Sequence, residues 1–330
     1  MFNSFKSYFL EKEAKTILLE TSENVNHFWA RFFKKKKITQ RRAPVLRQAS
    51  TLCTMGSCFA NELRNAFTEA GFRILPLLES GSYNLFSNSS YEIPDWGKWD
   101  ERVHYQWYNP ASLLLEARIA FSLDNLPDRS VFPCKKNGQN VYQDPYRRLV
   151  FADSEAKLIE LRTEMDHGIR TAFEDAEAFV FTLGLTEAWW DKSNKLALCA
   201  DPDYGNPDSK SSCFFQNMNF ADCYNAMESL ITLINDKRGS SIPIFLSVSP
   251  IPLARTFRNV DVVIANSNSK SILRTVAAEI CEKYQNVIYF PSYEICMNDQ
   301  DSFCKTDGRH VNSYKVQSII KFFRDSYLIN

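Results

Sequence analysis

The 330-residue chain has no net charge: Lys and Arg number 39 and Asp and Glu 39, so no global field draws it to nucleic acid or to an anionic surface. It also lacks any run of about 18 apolar residues, the length a membrane-spanning helix needs. The opening MFNSFKSYFLEKEAK meets charge too early to hold the apolar core of a signal peptide, and a cytoplasmic location is expected. There is no C-x-x-C pair among the nine cysteines and no histidine near one of them in the chain, which argues against a disulfide framework and a zinc site. No metal or cofactor is expected. Histidine is scarce, with only His27, His104, His167 and His310 available as a catalytic imidazole. No fixed-period repeat is visible. What remains, 45% hydrophobic and 24% charged residues, is the composition of an ordinary globular protein.

Residues 1–45 read as an N-terminal arm, with Lys34 to Lys37 and Arg41-Arg42 before Pro44. Such a run is ordinarily a solvated helix end or linker; as a functional patch residues 34–42 could instead bind anionic lipid headgroups, as a peripheral membrane contact, or nucleic acid. Residues 46–330 read as one domain in which strand and helix alternate. Strands are expected at TLCTMGS, at residues 72–78, and at AFVFTL, PIFLSV and NVIYF. Helices are expected over residues 58–71, 111–123, 154–174, 220–237 and 267–283, with a final helix after residue 310. This alternation predicts an α/β fold, a doubly wound parallel sheet in a three-layer αβα sandwich. Residues 79–110, rich in Ser, Asn, Trp and Tyr, read as a long ordered loop.

Ligands of open parallel sheets bind beyond the carboxyl ends of the strands, so the residues just after each strand carry the functional signal. Ser57 follows Gly56 at a strand-to-helix turn, where helix N–H groups converge. Gly184 follows AFVFTL and admits close approach of backbone, and Thr186 beside it offers a hydroxyl donor. Ser249-Pro250-Ile251-Pro252 stiffens a third exit. Asp307 and His310 lie three apart in one turn after the last strand, a spacing that lets the carboxylate take the imidazole Nδ1–H and leaves Nε2 facing outward. Together these junctions have the logic of an activated serine nucleophile: Ser57 attacks, His310 is the general base and Asp307 orients it.

The pentapeptide Gly56-Ser57-Cys58-Phe59-Ala60 resembles the name motif of the GSCFA family, which groups with SGNH/GDSL-type hydrolases. The resemblance runs from about residue 48 to about 325. It includes Tyr108-Asn109-Pro110-Ala111-Ser112, the block Thr182 to Trp189, the block Val248 to Leu253, and Asn266-Ser267-Asn268-Ser269-Lys270. It implies a flavodoxin-like SGNH hydrolase fold, Ser57 as nucleophile, Asp307 and His310 as the late pair, and a role near polysaccharide synthesis. SGNH-type enzymes carry a Gly and an Asn as oxyanion donors. Here Thr186 stands where the Asn is expected, so either Thr186 or Asn109 would join Gly184 in that role.

The implied activity is that of an esterase or O-acyltransferase passing an acyl group from an ester, of a small molecule or a glycan, through acyl-serine. Tyr83, Tyr91, Trp96, Trp99, Tyr105, Trp107 and Tyr108 would either stack sugar rings or merely cover the sheet edge. Two other readings stand beside this one: a binding protein that keeps the pocket without the activity, and Cys58 as nucleophile, since it shares the helix N-terminus that favours a thiolate.

Overall fold

A computed structural model describes residue 38 and residues 45–76, 105–121, 126–136, 139–148, 150–202 and 207–329. The basic stretch at residues 34–37 and 41–42 lies outside the described residues, as do Tyr83, Tyr91, Trp96, Trp99 and His104. The chain divides into the units Met1–Ala43 and Pro44–Asn330, and the fold is that of the second.

Its centre is a five-stranded sheet, parallel throughout. β1 (Thr51–Gly56), β2 (Arg73–Leu75), β6 (Ala178–Leu183), β9 (Ile244–Val248) and β10 (Val287–Tyr289) lie in the order β2-β1-β6-β9-β10. Counted along this sheet alone, that is the order 2-1-3-4-5, whose switch point lies between β1 and β6. Every residue of β1, β6 and β9 is buried, which explains why these segments are mostly apolar, with a few Thr and Ser, rather than alternating.

Alternate side chains serve opposite faces. Met55, Phe179, Phe181 and Leu246 join one core with α2 (Pro110–Ala120), α3 (Glu155–Asp175), α4 (Phe220–Arg238) and α5 (Val262–Lys283). On the other face Phe245 meets Phe323 of α7 (Ser313–Tyr327) with ring centroids 4.8 Å apart, and Phe323 meets Phe67 of α1 (Cys58–Glu69) at 4.8 Å. The result is an α/β/α layering, as the alternation predicts.

The strands ran shorter than expected at β2 and β10, and α5 begins at Val262 rather than 267. Two small antiparallel sheets depart from strict alternation. β3 (Phe132–Lys136), β4 (Gln139–Asp144) and β5 (Val150–Ala152) form one, and β7 (Glu187–Asp191) with β8 (Cys213–Asn217) the other. A short helix, α6 (Ser292–Met297), follows β10.

Local chemistry sets the helix starts. Asn219 caps α4 through a reciprocal box: its side chain accepts from Asp222 N at 2.9 Å, and the Asp222 carboxylate accepts from Asn219 N at 2.9 Å. Asn219→Ala is expected to cost about 1 kcal/mol of stability, read as a lower urea midpoint with unchanged slope.

One buried polar cluster pins the β3–β5 sheet to the helices. Arg147, fully buried, pairs with Glu116 of α2 at 2.8 Å and Asp166 of α3 at 2.6 Å, while Trp107 Nε1 donates to Glu116 at 3.0 Å. A buried charge persists only when paired, and Arg147 has two carboxylates for partners.

Candidate active site

The site forms at the switch point, where the segments after β1 and β6 meet. Gly56 has φ +147°, a conformation L side chains rarely adopt, and a Cβ there would stand 2.2 Å from Thr182 Oγ1 and 2.3 Å from Thr182 O. Gly184 is equally hemmed in: a Cβ on it would lie 2.7 Å from Tyr108 O and 2.9 Å from Ser57 Cβ. Both glycines thus exist to let three backbone segments converge. The third, residues 105–109, crosses the turn through Trp107 N donating to Gly56 O at 2.8 Å, and its Tyr108 O accepts from Leu185 N at 2.9 Å.

The late pair comes from a loop closed on itself. Phe303 and Val311 form an antiparallel bridge, and Cys304 N donates to His310 O at 2.8 Å. Asp307 Oδ1 accepts from the backbone N–H of Arg309 at 2.9 Å and of His310 at 3.0 Å, while Oδ2 meets His310 Nδ1 in a short hydrogen bond. Burial favours the neutral acid, but the His310 contact and these N–H groups together hold Asp307 at about 2, so it is a carboxylate throughout the neutral range. Arg309 Nε donates to Pro252 O at 3.0 Å, which ties this loop to the prolines after β9.

His310 is thereby oriented as its spacing to Asp307 predicts, but its other side meets Cys58. Interaction with the Cys58 side chain is the main cause raising the imidazole pKa, opposed by burial and reinforced by Asp307. Burial pushes the Cys58 thiol up, yet the interaction with His310 and the charges of Arg309, Arg148 and His310 outweigh it and bring the thiol below its ordinary value. Arg148 lies over the Tyr108 ring, 5.7 Å from its centroid, and donates to Gln106 Oε1.

Ser57 sits differently. It is the N-cap of α1 with extended backbone (φ −72°, ψ −172°), its side chain caps nothing, and its Oγ is buried and has no hydrogen-bond partner among the described residues. That hydroxyl faces Gly184, whose absent Cβ would come 3.5 Å from it. The expected Ser57–His310 hydrogen bond is therefore not formed.

Both expected side-chain donors have structural partners. Asn109 caps α2, accepting from Ser112 N at 2.9 Å and donating Nδ2 to Leu198 O at 3.2 Å. Thr186 Oγ1 donates to Asn217 Oδ1 at 2.9 Å, and its backbone N–H goes to Ser269 Oγ at 2.9 Å. Gly184 is where the sequence puts it, against the turn. Tyr105 and Trp107 are buried in the core rather than offered to a ligand. Among the described residues no group of three His, Cys, Asp or Glu is placed to hold a metal ion.

A model of the GSCFA family matches residues 51–323, a span that includes all four junctions. The chain belongs to the GSCFA family. No curated protein matches its sequence. In this GSCFA protein the family pentapeptide supplies the tight turn (Gly56), a buried N-cap (Ser57), the thiol that raises the imidazole pKa (Cys58) and the first core residues of α1 (Phe59 and Ala60). The residues that spacing alone overlooked are Arg148 and Lys270. Lys270 lies fully buried on α5 with Nζ donating to Gly184 O at 2.6 Å, and only its place in the Asn266–Lys270 block marked it beforehand.

Proposed function

We propose that this GSCFA protein is an acyl-transfer enzyme of the SGNH type, an esterase or O-acyltransferase, whose nucleophile is Cys58 rather than Ser57. One observation carries the choice: Asp307 holds His310 through a hydrogen bond and Cys58 is the side chain that most raises the imidazole pKa, while Ser57 Oγ has no hydrogen-bond partner among the described residues. The sheet order 2-1-3-4-5, with the site at its switch point, supports the SGNH assignment.

In the first half-reaction the Cys58 thiolate attacks the acyl carbonyl of an ester. The oxyanion forms at the first turn of α1, where the Cys58 N–H and the helix dipole lie. His310, as imidazolium, gives its proton to the leaving alcohol as the acyl–oxygen bond breaks, leaving a thioester on Cys58. Water or a sugar hydroxyl then attacks the thioester, His310 takes its proton, and the thiolate is released. Asp307 stabilises the charged imidazole in both halves. The substrate is an acyl ester of a small molecule or a glycan. The described residues contain no helix long and apolar enough to cross a membrane. With nine free cysteines and a thiolate nucleophile, the protein fits the reducing cytoplasm.

Iodoacetamide labelling followed by mass spectrometry tests this reading. A single fast adduct is expected on Cys58, and its rate should persist below the ordinary thiol pKa of about 8.5, because His310 and the arginines favour the thiolate. In His310→Ala the same rate should fall at neutral pH and recover only as pH rises. A fluorophosphonate adduct on Ser57 that survives Cys58→Ala would restore the serine mechanism. Absence of both adducts would leave a non-catalytic binding protein.

A further inference from the structure

The block Asn266–Lys270 has no part in the chemistry just described, yet it binds both loops that border the nucleophile. Asn266 Oδ1 accepts from Leu253 N at 3.1 Å, behind the prolines after β9. Ser269 Oγ accepts from Thr186 N at 2.9 Å, and Lys270 Nζ donates to Gly184 O at 2.6 Å. Gly184 in turn packs against Ser57, so a chain of contacts runs from α5 to the turn that carries Cys58.

Lys270 is the unusual member. It is 2% exposed, its one hydrogen-bond acceptor is a neutral carbonyl, and among the described residues it makes no ion pair. A neutral donor would hold Gly184 at lower cost, since an ammonium taken out of water needs a compensating negative charge. The groups that act on it electrostatically are Cys58, which favours its charge, and Arg309, which opposes it; burial, the largest influence, brings it to about 7. Among the described residues Cys58 is the one group whose negative charge is seen to favour the charged lysine.

We propose, on the reading of Cys58 as nucleophile, that Lys270 is a positioning residue for it: the side chain fixes the Gly184 wall and sets a buried positive charge against the thiolate. The groups that act on Cys58 electrostatically are His310, Arg309 and Arg148, Cys58 in turn acts on Lys270, and Asp307 is engaged by His310.

The test compares the pH profile of Cys58 alkylation by iodoacetamide in the full-length wild type, Lys270→Gln and Lys270→Met, with circular dichroism as the check on folding. Gln keeps a donor for Gly184 O and removes only the charge. Both variants should slow alkylation at pH 7 by roughly three- to tenfold, by moving the thiol midpoint up half a unit to one unit. Should Lys270→Met not fold, Lys270→Gln decides alone. A folded Lys270→Gln with the wild-type profile overturns the proposal and reduces Lys270 to a strut for Gly184. A wild-type Cys58 no faster than the other thiols is a different failure, because it removes the nucleophile itself and this proposal with it.

Discussion

Replacing His310 with alanine is expected to lower acyl transfer by roughly 10²–10⁴-fold, the range over which a positioned acid–base group acts. The imidazole does two things in the proposed cycle: it keeps Cys58 ionised and it protonates the leaving alcohol. Loss of His310 should therefore depress turnover at every pH, while raising the pH restores alkylation of Cys58 but not release of the alcohol. Cys58→Ala should be at least as severe, and because the two side chains act as a unit, the double variant should be hardly worse than the worse single one. Ser57→Ala should retain most of the activity, since Ser57 Oγ has no hydrogen-bond partner among the described residues. Hydrolysis of a chromogenic acetate ester across these four variants is the measurement. A Ser57→Ala variant as dead as Cys58→Ala would sink the thiol mechanism.

The second large effect is structural. Gly56→Ala is expected to destabilise the fold by about 4 kcal/mol or more, a large share of the roughly 5–15 kcal/mol that holds a typical domain together. Two independent causes act: a positive φ of 147° that alanine rarely adopts, and a Cβ placed 2.3 Å from Thr182 O. Because that oxygen is backbone, trimming the Thr182 side chain cannot relieve the clash. Gly56→Ala and Gly56→Ala with Thr182→Ala should thus both melt far below the wild type, and recovery by the double variant would show that only the 2.2 Å contact with Thr182 Oγ1 mattered. Gly184→Ala differs in kind. Its added methyl pushes on Tyr108 O and Ser57 Cβ, so it should displace the nucleophile turn and cost activity before it costs the fold.

Where the sequence was legible, the reason is periodicity. β1, β6 and β9 are buried on both faces and read as apolar runs, and α1 places Phe59, Leu63 and Phe67 on one face. The start of α5 was hidden because Val263 and Ile264 are exposed, which blurs the amphipathic pattern; the Asp261 cap, accepting from Val263 N at 2.7 Å, was the available signal. β7 looked like an aromatic pair after a turn, since its partner β8 lies more than 20 residues on and nothing local announces the pairing. The β3–β5 sheet, with Pro133 inside it, gave no clean alternation and depends on the buried Arg147 pairing for its place.

By itself the sequence determined the family, the alternating α/β plan, the four strand-end junctions and the Asp307–His310 pair, because each rests on residues close together in the chain. Which of two adjacent side chains would meet the imidazole was decided only by the tertiary structure. Ser57, extended at the N-cap, turns in against Gly184, whereas Cys58, the first residue of α1, comes to His310 from a loop some 250 residues later in the chain. The cations around it came the same way, since Arg148, over Tyr108, and Lys270, on Gly184 O, come from parts of the chain far from Cys58.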